Sequence, residues 1–547
     1  METSNLLSDI LGQDNTVRQR AETELNNQRT ANPAALLSLF ISNMRSEQLE
    51  IAQISCILFK KYFLDNSEGI SATDYEQMKQ AVMESLDFKT QPLLLLKRKG
   101  DVLSKIFSLQ GKNEELLNLL VSWAQSDDSI SKQFAMYVFE ILSECHLDPA
   151  QLTKYKSSFF TIFEKSLQDA DIKVRVAALK ATTSFLYSIE DQNIVANFNA
   201  LMKLILNTVV EALKADESQG KMALESMVDL TKTHPQCWKD TSAQLVSIVS
   251  DVITTTEFEE GTRSQAAEVV LTLASQVPAT LRKIAAMKTS FFPALVKMLT
   301  ECEQDMDTWA ETIEGEDGVG NDLHSAGLAA IGRLSLDMKE NFILEAAKPI
   351  FAQGFTHSDW TVRQAAFLTF GLIAESCKDY MKANLDLAMQ TACKGLQDEH
   401  PRVRYAGLSC LALVLTELSP SAQLKFHQEL VPVLLNMIST EKILKLQTHA
   451  ISCMINFTQG LIQEDDNEIN DTKKSSEILT LYADQLFSSL HENLRKGIQE
   501  KYEPLQEEVM NLLNVSATLI EEHFAKYFAK FMPLMVEILD NVEGKTI

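Results

Sequence analysis

Residues 359–404 read DWTVRQAAFLTFGLIAESCKDYMKANLDLAMQTACKGLQDEHPRVR, and the two ends of this stretch say nearly the same thing. Asp359-Trp360-Thr361-Val362-Arg363 opens it. A longer copy, Asp398-Glu399-His400-Pro401-Arg402-Val403-Arg404, closes it, with Arg363 and Arg404 41 residues apart. The phrase occurs twice more, as Asp14-Asn15-Thr16-Val17-Arg18 and Asp171-Ile172-Lys173-Val174-Arg175. Asp placed just ahead of an apolar helical pattern is an N-cap. Val then plugs the seam between repeats and Arg reaches back towards the neighbouring turn. A second phrase puts Pro in front of an apolar run, at Phe292-Pro293, Val431-Pro432 and Met532-Pro533, with Pro349 as a further case. Pro in the first turn of a helix forfeits no hydrogen bond. Two helices recurring at roughly 40–47 residues are the pattern of a HEAT repeat.

Extended along the chain, the pattern gives an all-α HEAT-repeat α-solenoid, wound as a right-handed superhelix. It has about 12 repeats plus one unpaired helix near 524–540. That helix would expose Phe528, Phe531, Leu534, Met535, Ile538 and Leu539, so the chain is expected to be the front part of a longer protein, cut inside a repeat. The organisation reads as repeats over 1–145 and 146–300, an acidic insertion at 301–322, repeats over 323–462, a second acidic insertion at 463–475, and repeats over 476–547. At 547 residues the chain exceeds what one hydrophobic core supports, which agrees with an open repeat assembly.

Composition narrows the function. There are 75 acidic against 50 basic residues, a formal charge of −25. Proteins that grip nucleic acid neutralise phosphates with Lys and Arg, so direct nucleic-acid binding is not expected and a basic partner is. No run approaches eighteen unbroken apolar residues, and the amino terminus has no secretory pattern, so no membrane partner is expected. Eight cysteines are scattered without CxxC spacing, as for core thiols in a reducing compartment. The insertion 301–322 holds nine acidic residues and no basic one. Asp305, Asp307 and Trp309 within it suit a basic partner through ion pairs and cation–π contact.

Catalytic chemistry is missing. Gly315-x-x-Gly318-x-Gly320 follows no strand and carries no Lys-Ser/Thr. The histidines fall singly. His449 and Cys453 share a helix face with no third ligand near in sequence. No catalytic residue, cofactor or metal is assigned, and the chain reads as a binding protein. Polar residues late on successive second helices are the candidates. Glu375 and Glu417 are 42 apart, and Asn456 follows 39 later. Such a ladder could hold an extended basic peptide, the carboxylates taking Lys and the amide taking backbone. Trp360, at a helix start, is either a platform for a Lys stem or an inter-repeat plug.

The stretches Leu396–Gly407, Lys425-Phe426-His427, Gln447–Ala450 and Ile455–Thr458 resemble the importin-beta (karyopherin) superfamily. The branch they resemble is that of importin five and yeast karyopherin one-twenty-one. His357–Trp360, Asp305–Trp309 and Leu11–Glu22 carry the same resemblance. It implies a nuclear transport receptor that is likewise not an enzyme, shuttling between cytoplasm and nucleus through the nuclear pore. Cargo would be lysine-rich nuclear localisation signals of ribosomal proteins or histones, released when Ran-GTP binds. Ran-GTP would sit on inner helices within 1–145, cargo on about 320–460, and Phe-Gly nucleoporins in outer grooves, on a monomeric receptor. The resemblance places the cargo-contacting carboxylates and asparagine on Glu375, Glu417 and Asn456. An exportin that binds cargo together with Ran-GTP, and a phosphatase-type HEAT scaffold, are the competing readings.

Overall fold

The computed structural model describes residues 6–65, 71–111, 113–145, 149–313, 322–462 and 472–543. Every regular element among them is helical, in antiparallel pairs stacked as a HEAT-type α-solenoid. The chain divides into two compact units, Met1–Thr241 and Ser242–Ile547.

In the first unit the pairs run from Leu6–Leu11 with Asn15–Ala31 to the broken Gln192–Ala215 stretch with Glu217–Thr233. Gln192–Ala215 is apolar and long enough to cross a membrane. A 3₁₀ turn at Phe198–Leu201 interrupts it, and Ile194, Ile205, Leu206 and Val209 are buried against the neighbouring helices, as in a core helix. In the second unit, second helices pack directly on second helices. Trp360–Leu372 lies on Pro401–Glu417, which lies on Leu444–Ile462, which lies on Glu503–Ile520. Ala366, Phe367, Cys410, Leu411, Ala450 and Ile451 fill those seams with 1 % exposure or less. Burial of this kind is worth roughly 25 cal/mol per Å² of apolar surface.

The Asp-Val-Arg phrase does its local work as the sequence dictates. Asp14, Asp171 and Asp359 each cap a helix by accepting a backbone N–H two residues on. In the longer copy Pro401 takes the first turn, His400 becomes the cap, and Asp398 is freed for another role. Arg363 donates Nε and Nη2 to Asp398 at 2.7 and 2.9 Å, and Nη1 to the carbonyls of His357 and Ser358 at 2.9 and 3.1 Å. Arg404 repeats this one unit later, with the carbonyls of Asp398 and Glu399 and the Glu441 carboxylate at 2.9 Å. The arginine therefore grips its own turn and also reaches forward to an acid of the next repeat. Burial would raise the pKa of Asp398, but the Arg363 fork, the His400 N–H and the guanidinium charge outweigh it and hold the carboxyl below its ordinary range.

Several local expectations change. Val174 and Val403 are fully buried, but Val17 is 37 % exposed. Pro293 stands in a first turn, whereas Pro349, Pro432 and Pro533 lie inside helices, where each removes one hydrogen bond to the preceding turn. The acidic insertion is not all loop, since Met306–Glu311 is a short helix. Residues 314–321, with the Gly315–Gly320 motif, and 463–471 of the second acidic insertion lie outside the described residues. Ala525–Glu543 is the last helix described, with Phe531 buried and Phe528, Met532, Val536 and Leu539 exposed.

Candidate peptide-binding groove

In the second unit, Leu323–Met338, Trp360–Leu372, Pro401–Glu417 and Leu444–Ile462 line one cavity of about 500 Å³. The acidic insertion contributes Cys302, Glu303, Trp309 and Thr312 to its rim. This segment folds as a strap. Asp305 caps its helix by accepting the Thr308 N–H at 2.7 Å, and those hydrogen bonds hold its carboxyl below the usual range. Asp307 is exposed.

Trp309 departs most from the sequence-based expectation. It is only 7 % exposed. Its ring meets the Tyr405 ring edge-on at 5.5 Å, and the charged ends of Arg402 and Lys445 lie 5.3 and 5.2 Å from its centroid. Lys445 also donates to the carbonyls of Trp309 and Thr312 at 3.3 and 3.0 Å. Arg402 donates to the carbonyl of Glu303. The cation–π partners of this tryptophan are thus the chain's own basic residues, which tie the strap to two second helices. Trp360 is similarly occupied. It stacks on His400 at 4.2 Å with a 10° interplanar angle and carries Arg402 at 5.3 Å. Tyr405 stacks on His449 at 4.1 Å, and His449 Nε2 lies 2.8 Å from Ser409 Oγ.

The ladder residues sit further along the same elements. Glu375 is exposed in the turn that follows Trp360–Leu372, and its carboxylate has no ion-pair partner among the described residues. Glu417 ends its helix, half-buried, 3.8 Å from Lys378. Asn456 is half-buried within Leu444–Ile462. Sequence reasoning did not single out Arg402, Tyr405, Lys445 or Gln364. Arg402 had a signal available, because it is one of the residues by which the fourth Asp-Val-Arg phrase is longer than the others. Lys445 had none, since its role depends on a tryptophan 136 positions away. Among the described residues no group of three or more His, Cys, Asp or Glu could hold a metal ion.

Residues 103–250 match the family described as "IPO5-like, TPR repeats", and 255–345 match the family described as "Importin repeat". Importin subunit beta-3 of Saccharomyces cerevisiae is 23% identical over 542 residues, 96% of this chain and 48% of that protein. The chain is thus similar to importin-beta-type proteins along most of its length. A probable importin-5 homolog of Dictyostelium discoideum is 20% identical over 412 residues, 73% of this chain and 38% of that protein. Solved structures of Kap121p share the fold. The one bound to RanGTP has a TM-score of 0.83 at 21% identity, covering 98% of this chain and 50% of that one. The one bound to Pho4p has a TM-score of 0.82 at 22% identity, covering 99% and 52%. The chain therefore spans about half the length of the relatives it matches.

Proposed function

We propose that the protein is a nuclear import receptor, in which Glu375, Glu417 and Asn456 hold a lysine-rich segment of a basic cargo protein that Ran-GTP displaces. The observation that carries this reading is the ladder, with a free carboxylate, a half-buried carboxylate and an amide on three successive repeats of one unit. An extended peptide advances about 3.3 Å per residue, so lysines a few residues apart span neighbouring repeats. The charge of −25 draws such a partner in. Kap121p, the similar protein, is solved with RanGTP, with Nup53p and with Pho4p.

It is also solved as a variant in which two aspartates and a glutamate, 43 and 42 residues apart, are all lysine. Gly332, Glu375 and Glu417 have that spacing here, which supports the assignment and marks glycine at the first rung. The strap residues Asp305 and Asp307 face the partner as exposed carboxylates, while Trp309 anchors the strap. Phe-Gly nucleoporin segments would dock on the other side of the stack. There Phe351, Phe355 and Phe370 line an apolar groove of about 560 Å³ with Tyr380 and Leu387, which are 45 and 59 % exposed. Pore passage and shuttling between cytoplasm and nucleus follow from this reading, and the receptor acts as a monomer.

The test is fluorescence anisotropy with a lysine-rich peptide at 0.15 M salt. Binding without Ran-GTP, loss of binding on its addition, and a drop of at least about 30-fold in Glu375→Lys/Glu417→Lys are expected, since two charge-assisted contacts become repulsive. Binding that requires Ran-GTP would reverse the direction of transport. Unaltered affinity in the double variant would remove the ladder from the site.

A further inference from the structure

The cavity beside the ladder has a chemistry that lysine does not explain. Leu413 precedes Glu417 by four residues on one helix, and Leu372 ends the helix whose following turn carries Glu375, so cavity and ladder lie about one turn apart. A segment gripped by the ladder therefore passes the mouth of the cavity.

Two of its polar residues keep hydrogen-bonding capacity to spare. Gln364 is 3 % exposed, and its Oε1 is buried with no hydrogen-bond partner. Its Nε2 reaches only the Cys302 sulfur, at 3.7 Å. Arg402 is 6 % exposed and forms no ion pair among the described residues. Its one hydrogen bond there goes to the Glu303 carbonyl, which leaves most of its five donors unused. A buried acceptor in a native protein is nearly always paired, so Gln364 Oε1 awaits a donor, while Arg402, whose face is taken by Trp309 and Trp360, keeps in-plane N–H groups that can donate beside it.

Charge and shape select that complement. Arg402 and Lys445 repel a lysine. A carboxylate would meet two further carboxylates on the rim, Glu303 and Asp322, and would face Gln364 Oε1 in the amide orientation seen here. A purely apolar side chain would leave both polar groups unsatisfied. A primary carboxamide supplies N–H to Gln364 and C=O to Arg402, while Leu328, Leu368, Leu372 and Leu413 take a methylene stem. We infer that this cavity is a specificity subsite for a glutamine or asparagine side chain of the same basic segment, so that cargo is read as lysines plus one amide. The inference rests on the import-receptor reading above.

The experiment is an anisotropy panel of lysine-rich peptides in which one residue at a time is glutamine, leucine, glutamate or lysine. It uses the full chain and its Gln364→Leu variant. At one register position glutamine is expected to bind about tenfold tighter than the other three. In Gln364→Leu that preference should shrink to within twofold, while the dependence on lysines persists. Peptides that bind without any glutamine preference, or that bind best with leucine, overturn the subsite and leave the lysine ladder standing. A preference that survives Gln364→Leu also overturns it. No binding by any peptide overturns the import-receptor reading and this inference with it. The peptide panel alone decides the first two outcomes, so a poorly folded variant does not block the test.

Discussion

At the scale of single residues, burial sets the behaviour of charged groups, and Lys99 is the sharpest case. It is fully buried in Leu93–Leu109 and donates Nζ to the Ser85 carbonyl at 2.5 Å and to Gln91 Oε1 at 2.9 Å. Burial brings its pKa down to about 8, with the Arg45 charge adding to the shift and Cys56 and Asp87 opposing it. An unfolded chain holds that proton until about pH 10.4. Between those two values the unfolded state binds more protons, so stability rises with pH, by about 3 kcal/mol once both pKa values are passed. Native-state hydrogen exchange of Leu93–Leu109 between pH 7 and 10.5 should show this gain, and Lys99→Met should lack it. Equal pH dependence in the two proteins would mean the ammonium is solvated. Gly332 offers the opposite kind of test, a gain. A Cβ built there meets nothing within 4 Å, so a side chain fits without rearrangement. Gly332→Asp would add a carboxylate at the first rung of the ladder and is expected to tighten a lysine-rich peptide three- to tenfold in the same anisotropy assay. Unchanged affinity would place Gly332 outside the path of the peptide.

At the scale of helices, the stack depends on close approach where side chains are absent. Gly407 in Pro401–Glu417 faces Gly395, and a Cβ on Gly407 would come within 2.7 Å of the Gly395 backbone. Backbone does not step aside as a flexible side chain does, so Gly407→Ala must push the helix away from the Gly395–Gln397 turn. Overpacking of this kind costs about 1–3 kcal/mol. In a repeat stack each unit contacts only its neighbours, so the loss should be local. Hydrogen exchange should accelerate in Pro401–Glu417 and the two adjoining repeats, with the first unit unchanged; a uniform loss across the chain would contradict nearest-neighbour stability. This scale also shows what the sequence made legible. The Asp-Val-Arg phrases located the caps and the helix pairs because those interactions span only a few residues. Repeat spacing also placed Glu375, Glu417 and Asn456 on successive repeats, because spacing in sequence converts directly into stacking. The strap could not be read that way. Trp309, Arg402 and Lys445 meet only after the stack has formed, so the same tryptophan that looked available to a partner is spent on internal contacts. The prolines misled for a related reason, since an apolar run on both sides of Pro349, Pro432 or Pro533 reads equally well as one helix or as a new one.

At the scale of the whole molecule the governing quantity is charge. In the proposed complex the local grip on a peptide would come from few groups, Glu375, Glu417 and Asn456, two of them half-buried. The excess of 25 negative charges is spread over the chain and acts at a distance. These two contributions separate kinetically. Long-range attraction speeds encounter and is screened by salt, with a Debye length of about 10 Å at 0.1 M and about 3 Å at 1 M. Contacts at the proposed ladder would determine how long the complex lasts, since short, partly buried pairs are screened much less. Stopped-flow association of a lysine-rich peptide should therefore slow by about tenfold or more between 0.05 and 0.5 M salt, while dissociation changes only a few-fold. Glu375→Gln should show the reverse, a faster dissociation with an association rate close to that of the parent, because one charge among so many barely alters the far field. If salt acted instead on dissociation alone, the chain's net charge would contribute nothing to capture, and binding would have to be explained by the local rungs without steering.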